Sequence, residues 1–496
     1  IMAESRQNGV ETARSYADSV RGAFSAMGVY GGVQAVQILA GMIRGKSAAL
    51  LLGVGGMGVA SLYASAAAVV QQIAVAGLNL AVVREISGMS DDEESCRVAA
   101  TVSRRLTDLC AVGGAILCLL MSPLLSLLTF GSYEYTVGFM CLSLMVGMSV
   151  AATGRQALLQ ATRSLRPLAG ATICSTVVSV VVAVPLYWAF SVNGIVPAMI
   201  AGSLSGLWFY SRAVGRLRRY GGSVGVRLRD HKPLVRRLLR SGMSLMAVGA
   251  MSVGVTFAVN VWLRAEAGES SVAMYNAASS VSSQCASLVF MAMAMDYFPR
   301  ISALAGDRKA MSDVVEHQIC AVLTVLAPMS CLLSAMAPLV TGLLFSSEFD
   351  GMIPMLRWLS VAMVLKGVSY PLGYVPLAMG HRRLYFRLEG VYGTVTVFTA
   401  VAAGYVAGGL EGIGVAMCAV YALDIAVYAM VCRRCFGVLP GGRTLSIAGR
   451  SVAIAVCAVM ASGLPDRVWA YAAQAVVCLV ALTASWIELC RIKRDI

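Results

Sequence analysis

The chain has 496 residues, of which 58% are hydrophobic and 13% charged, with a mean hydropathy of +0.76. One soluble core cannot hide that much apolar surface, which excludes an ordinary globular domain. The net charge of +14 comes from basic residues gathered between apolar runs, a pattern that membrane topology accounts for without nucleic acid.

Residues 1–23 carry Glu4, Arg6, Glu11, Arg14, Asp18 and Arg21 and no apolar core, so they read as a cytoplasmic N-terminal segment rather than a cleavable signal. Apolar runs then follow at roughly 24–43, 57–83, 107–129, 136–157, 168–190, 195–212, 242–263, 272–297, 317–345, 353–379, 388–406, 412–431, 447–464 and 468–490. Each is long enough to cross a hydrocarbon core of ~30 Å as a helix. Continuous runs rather than ten-residue alternations exclude an outer-membrane barrel. The expected fold is an all-α polytopic membrane protein with about fourteen transmembrane helices.

Of the 39 Lys and Arg, 33 fall on one set of connections, including ten in the block 212–240. Only Arg44, Lys46, Arg264 and Arg467 fall on the other set. The positive-inside rule then puts both termini in the cytoplasm, and the expected location is a bacterial inner membrane. The 14 cysteines mostly sit singly in apolar runs, where Cys behaves as a small hydrophobe. Cys432 and Cys435 have no second pair or His cluster to complete a metal site, so no cofactor or resident metal is expected.

The chain also repeats itself. "VNGIVPAMIAG" (192–202) matches "LEGIGVAMCAV" (410–420), and "PLLSLLTF" (123–130) matches "PLVTGLLF" (338–345). "SLYASAAAVVQQ" (61–72) matches "AMYNAASSVSSQ" (273–284), with its tyrosines aligned. Ordered offsets of 212 to 218 residues make spans 7–12 a parallel repeat of spans 1–6. The expected organisation is an N-lobe over 24–212, a basic cytoplasmic linker over 213–241 and a C-lobe over 242–432. Spans 13–14 and a cytoplasmic tail occupy 433–496.

Two six-helix lobes plus two helices resemble the polysaccharide-transporter branch of the multidrug/oligosaccharidyl-lipid/polysaccharide exporter superfamily, above all its O-antigen and exopolysaccharide flippases. The residues that carry the likeness are "GGVQAVQILAGMIRGKSAALLLGVGGMGVASLYAS" (31–65) and "GLNLAVVREIS" (77–87), with "FPRIS" (298–302) after span 8. Val54 stands where that family commonly has proline, which leaves the turn less stiff. The resemblance implies an alternating-access flippase, not an enzyme, that moves an undecaprenyl-diphosphate-linked oligosaccharide from the cytoplasmic to the periplasmic leaflet. Its partners would be that polyprenyl-diphosphate-linked glycan and the lipid bilayer; a polysaccharide polymerase is left open, and nothing sets an oligomeric state.

The resemblance also implies that spans 1, 2, 7 and 8 face a central cavity. On those spans Tyr30, Gln34 and Gln37, then Gln72 and Asn79, then Asn260, then Asn276 and Ser283 are the polar candidates for its lining. Polar stripes cannot face lipid unsatisfied, though helix–helix glue explains them equally. Arg21, Arg84, Arg240 and Arg300 mark the inner ends of the same spans and suit a diphosphate, as they also suit plain topology. Arg44, Lys46 and Arg264 lie on the sparse side and are candidates for the outward-open state. Arg357 and Lys366 lie inside the membrane, where a cation costs ~2.5–3.5 kcal/mol at a helix centre. Asp424, on one face with Tyr421 and Tyr428, is the candidate for Na⁺ or H⁺ coupling, with neutralisation of Lys366 as the alternative. Pro371, Gly373 and Pro376 mark a candidate hinge in span 10.

A lipid II flippase and a cation-coupled multidrug antiporter share the implied fold and remain the alternatives. A drug antiporter would favour acids in the cavity, yet spans 1, 2, 7 and 8 hold none except Glu85 and Asp296 at their inner ends. A membrane-embedded enzyme of polysaccharide assembly would need a catalytic cluster, and His231, His317 and His381 are isolated.

Overall fold

The computed structural model describes residues 2–87, 93–162, 164–217, 228–304, 307–438 and 441–495. Side chains of 2–30, 93, 228–229, 243–245, 292, 294–296, 467 and 492–495 lie outside that description, so Arg21 and Tyr30 are placed only by their backbone. Much of the linker, 218–227, also lies outside it.

Among the described residues all regular structure is helical. The helices are α1 (Met2–Val75), α2 (Leu78–Ser87), α3 (Glu93–Leu120), α4 (Ser122–Phe130), α5 (Thr136–Ala161), α6 (Leu165–Phe190) and α7 (Ile195–Gly215). They continue as α8 (Lys232–Ala303), α9 (Arg308–Leu344), α10 (Ile353–Ala378), α11 (Arg382–Tyr385), α12 (Gly393–Val431), α13 (Gly442–Ala461) and α14 (Arg467–Asp495).

Nine stretches of the described residues are long and apolar enough to cross a membrane, ten if the bent pair α3–α4 counts as one crossing. Several are too long for a single crossing. Gly31–Ser87, with 57 residues, would extend about 85 Å as one straight helix, against a core of ~30 Å. Glycines provide the breaks: Gly53 (φ 67°, ψ −176°) divides α1, Gly268 (φ 80°, ψ 177°) divides α8, and Gly408–Gly409 divide α12. A side chain at such positive φ is strained, so glycine is favoured at 53, 268 and 409.

Backbone breaks recur at the offsets of the sequence repeat. Gly53 and Gly268 stand 215 residues apart with nearly the same dihedrals. Ser191 (φ 47°, ψ −129°) and Gly409 (φ 60°, ψ −143°) stand 218 apart and again agree. Each break opens the helix that carries its own copy of the motif: Gly53 before 61–72, Gly268 before 273–284, Ser191 before 192–202 and Gly409 before 410–420.

The chain divides into two compact units, one of 1–52 and 66–247, the other of 53–65 and 248–496. In the first, α3 packs on α5, α5 on α7 and α6 on α7. Its core joins Leu78, Val82 and Ile86 of α2 with Leu158 and Leu159 of α5 and Leu234 and Leu238 at the start of α8. Gly77 meets Gly242 so closely that a Cβ at residue 77 would lie 2.2 Å from the Gly242 carbonyl oxygen.

In the second unit α10 is the central helix, packed on α9, α12 and α13. Its core gathers Tyr297 and Ile301 of α8, Ile319 and Leu323 of α9, and Val364 and Leu372 of α10. Glu348, in the 3₁₀ turn Ser347–Met352, accepts the Val54 N–H at 3.1 Å and so satisfies a donor freed by the break at Gly53. α10 runs unbroken through Pro371 and Pro376. The Tyr297 hydroxyl donates to the Pro371 carbonyl at 2.9 Å, holding α10 against α8 there.

Candidate functional site

The second unit encloses a cavity of about 570 Å³ between α8, α10 and α12. From α8 come Tyr275, Ser279, Ser283 and Ser287, spaced by four residues and therefore on one face. α10 contributes Met363, Lys366 and Tyr370, and α12 contributes Met417 and Tyr421. Among the described residues no acid lines this cavity.

Among the described lining residues Lys366 is the one cation. The ammonium lies 5.4 Å from the centroid of the Tyr421 ring, within cation–π range. Ser283 and Ser287 donate to the Ser280 and Gln284 carbonyls of their own helix, which leaves hydroxyl lone pairs to accept from a ligand. Tyr370 stacks on Phe290 at 4.3 Å and shares a hydrogen bond with Tyr374 at 3.1 Å. A cation, hydroxyls and phenolic rings on one apolar wall suit an anionic, hydroxyl-rich ligand.

Beside the cavity stands an acid cluster. Glu389, on the π-helical segment Phe386–Tyr392, accepts the Tyr428 hydroxyl at 2.8 Å. Gly373 makes room for it: a Cβ there would lie 2.9 Å from Glu389 Oε1. Asp424 has Tyr392, Glu389 and Lys366 as its electrostatic neighbours. Among the described residues neither Asp424 Oδ1 nor the Tyr392 hydroxyl, both buried, completes a hydrogen bond of regular geometry.

The structure thus brings Ser283, Lys366 and Tyr421 together on one cavity and sets Asp424 and Glu389 next to it. It separates other candidates. Asn276 donates to Asn260 at 2.9 Å and to the Val272 carbonyl at 2.8 Å, so this pair fastens the two halves of α8. Arg357 donates to the Ser334 carbonyl of α9 at 3.4 Å and does not share the Lys366 cavity. Tyr428, grouped with Asp424 by helical periodicity, is engaged by Glu389 instead.

In the first unit Arg44 donates to the Ser179 hydroxyl of α6. Lys46, Gln34, Gln72 and Asn79 are half-buried, while Gln37, Arg84 and Arg240 are exposed. In the second, Arg264 is half-buried and Arg300 exposed. Sequence reading missed Glu389, Tyr392, Tyr275 and Tyr370. Tyr275 had a signal, since it repeats Tyr63 at the same motif position. Glu389 had a weaker one, an acid just inside the predicted start of span 11.

The Asn260–Asn276 bond leads to a stability prediction. Asn260→Ala is expected to cost about 0.6 kcal/mol, the average for interhelical hydrogen bonds in membranes, and at most ~1.7 kcal/mol, with transport nearly unchanged. Thermal unfolding in detergent measures it; an unchanged midpoint with lost transport would assign Asn260 to the transport path.

These features define a multi-pass helical membrane protein whose second unit holds a cationic, hydroxyl-lined cavity, and the fold matches known transporters. The chain superposes on a lipid II flippase, MurJ in its inward closed conformation, with a TM-score of 0.67 over 95% of this chain and 99% of that one at 11% identity. An inward-facing multidrug resistance MATE family transporter of the MOP superfamily matches with a TM-score of 0.62 at 17% identity, over 84% of this chain and 96% of the other. In sequence, the lipid III flippase of Escherichia coli is 24% identical over 360 residues, 71% of this chain and 85% of its own length. Residues 49–354 match the polysaccharide biosynthesis protein family, and the chain belongs to that family.

Proposed function

We propose that this protein is an alternating-access flippase for a polyprenyl-diphosphate-linked oligosaccharide, the precursor of an O-antigen, capsule or exopolysaccharide. It would cross a bacterial inner membrane fourteen times, with both termini cytoplasmic, and carry its cargo to the periplasmic leaflet without catalysing a covalent step. The observation that carries the reading is the cavity on which Lys366, Tyr421, Ser283 and Ser287 converge with no acid among the described lining residues. A drug antiporter for organic cations would need the opposite sign there. Family membership and the name of the lipid III relative support a lipid-linked substrate. The full-length match to a lipid II flippase keeps a peptidoglycan precursor as the alternative cargo.

Arg84, Arg240 and Arg300 would meet the diphosphate before transport, and Arg44, Lys46 and Arg264 after it. Glu389 and Asp424 place two acids beside the single cation Lys366. A Na⁺ or a proton arriving there would balance the cluster, with the Asp424 carboxylate, next to the Tyr392 hydroxyl, as its acceptor.

Purified protein in liposomes tests this directly. One leaflet carries a fluorescent polyprenyl-diphosphate oligosaccharide, with an organic cation dye as control, under imposed Na⁺ or pH gradients. Movement of the lipid-linked sugar alone is expected, accelerated by one of the gradients. Asp424→Asn is expected to abolish that acceleration while leaving slow, gradient-independent flipping. Dye export without lipid movement would overturn the reading, and unchanged acceleration in the variant would remove Asp424 from coupling.

A further inference from the structure

A second cationic site lies away from the cavity, where α13 and α14 pack on each other and on α9. Glu488 of α14 is the carboxylate at its centre, with only 4% of its side chain exposed. Arg450 and Arg491 reach its Oε1 at 3.2 and 3.3 Å, and Arg443 reaches Oε2 at 3.7 Å. Those guanidinium side chains remain 43%, 58% and 55% exposed.

The arrangement is built, not incidental. The start of α13 is tied to α9 by Glu316, which accepts the Gly441 N–H at 2.6 Å and the Thr444 hydroxyl at 3.2 Å. Arg450 and Glu488 also line a small hollow with Thr324 of α9, Ser451 of α13 and Ser485 of α14. The buried carboxylate therefore draws three guanidiniums together, Arg450 and Arg491 each through one nitrogen.

One arginine neutralises one carboxylate. Three around Glu488, with Glu316 as the neighbouring acid beside the start of α13, still leave an excess of positive charge, and the helix surface beside them is apolar. Trp486, Ile487 and Leu489, in the same turn as Glu488, are exposed, as are Leu445 and Leu482. An exposed tryptophan beside arginines at a helix end is the signature of the membrane–water interface.

We propose that Arg443, Arg450 and Arg491, drawn together by Glu488, bind the headgroup phosphate of an anionic bilayer phospholipid whose acyl chains lie along Trp486, Ile487 and Leu489. Guanidinium groups take phosphate oxygens bidentately, and basic clusters between transmembrane helices take anionic headgroups. The site occupies the flank formed by α9, α13 and α14, whereas α8, α10 and α12 line the cavity. It stands whether or not the flippase reading holds.

The test uses the full chain in nanodiscs of phosphatidylcholine mixed with phosphatidylglycerol, with retained lipid counted by native mass spectrometry. The wild type is expected to retain phosphatidylglycerol about tenfold over phosphatidylcholine. R450Q/R491Q is expected to lose that preference. E488Q keeps the shape of the acid and removes the charge that gathers the guanidiniums, so it is expected to weaken the preference severalfold; full preference in E488Q would overturn the part given to Glu488. If the double variant does not fold, Arg491→Gln alone is expected to lower the preference severalfold, because Arg491 is the most exposed of the three. Equal retention of both lipids by the wild type would overturn the proposal, as would full preference in the arginine variants. Displacement of phosphatidylglycerol by an equimolar polyprenyl diphosphate would reassign the site to the cargo and also overturn it.

Discussion

Replacing Lys366 by alanine is expected to lower the rate of lipid-linked sugar movement by about ten- to a hundredfold, with membrane insertion and thermal midpoint unchanged. The size follows from one charge-assisted hydrogen bond, about 1.5–3 kcal/mol, lost from an otherwise uncharged cavity wall. Lys366→Arg is expected to retain part of the rate, because the charge survives while the compact ammonium does not. The competing account makes Lys366 a counter-ion for its neighbours Glu389 and Asp424. On that account the alanine variant loses stability, and adding Asp424→Asn restores it. Liposome flipping and thermal unfolding of the three variants decide the matter. A lowered midpoint rescued by the double variant, with transport intact, would take Lys366 out of the cargo site.

Gly412→Leu is expected to be among the most damaging single substitutions in the second unit. The two halves of α12 fold back at Gly408–Gly409 and cross where Gly404 meets Gly412. A Cβ at 412 would lie 2.1 Å from the Gly404 carbonyl oxygen, and one at 404 would lie 2.6 Å from the Gly412 carbonyl oxygen. Both obstacles are backbone, so no rotamer relieves them, and the helices must part. Small residues at crossings are how membrane helices gain contact without a hydrophobic driving force. The expected cost is about 3 kcal/mol or more, the upper range for overpacking, read as loss of folded protein after detergent extraction. Gly408→Ala is the control: its φ of −160° is open to any residue and nothing lies within 4 Å of its Cβ position. Equal behaviour of the two variants would mean that the crossing carries no stability.

Much of the architecture was written in the one-dimensional pattern. Apolar run length is a property of the chain alone, so a helical membrane protein followed from the sequence before any contact was known. The matching motifs at 192–202 and 410–420 likewise preceded the matching backbone breaks at Ser191 and Gly409. Lys366 stood out because a cation inside an apolar run is costly wherever its helix packs.

Periodicity was less reliable for partners. The polar candidates Asn276 and Ser283 of one span looked equivalent, yet Asn276 turns to Asn260 while Ser283 lines the cavity. Tyr428 shares a helical face with Asp424, yet its hydroxyl goes to Glu389, 39 residues away on the π-helical segment. The room for Glu389 comes from Gly373, which sequence reading had weighed only as part of a hinge.

What the sequence determined by itself was therefore what depends on spacing along one chain: helical class, repeated motifs, basic connections and the costly charge at 366. The tertiary structure decided which groups meet: Lys366 over Tyr421, Glu389 against Tyr428, and three arginines on Glu488. The reason is physical. A hydrophobic run carries its free energy of burial into any packing arrangement, whereas a hydrogen bond or ion pair exists only when two distant helices bring their atoms within about 3 to 4 Å.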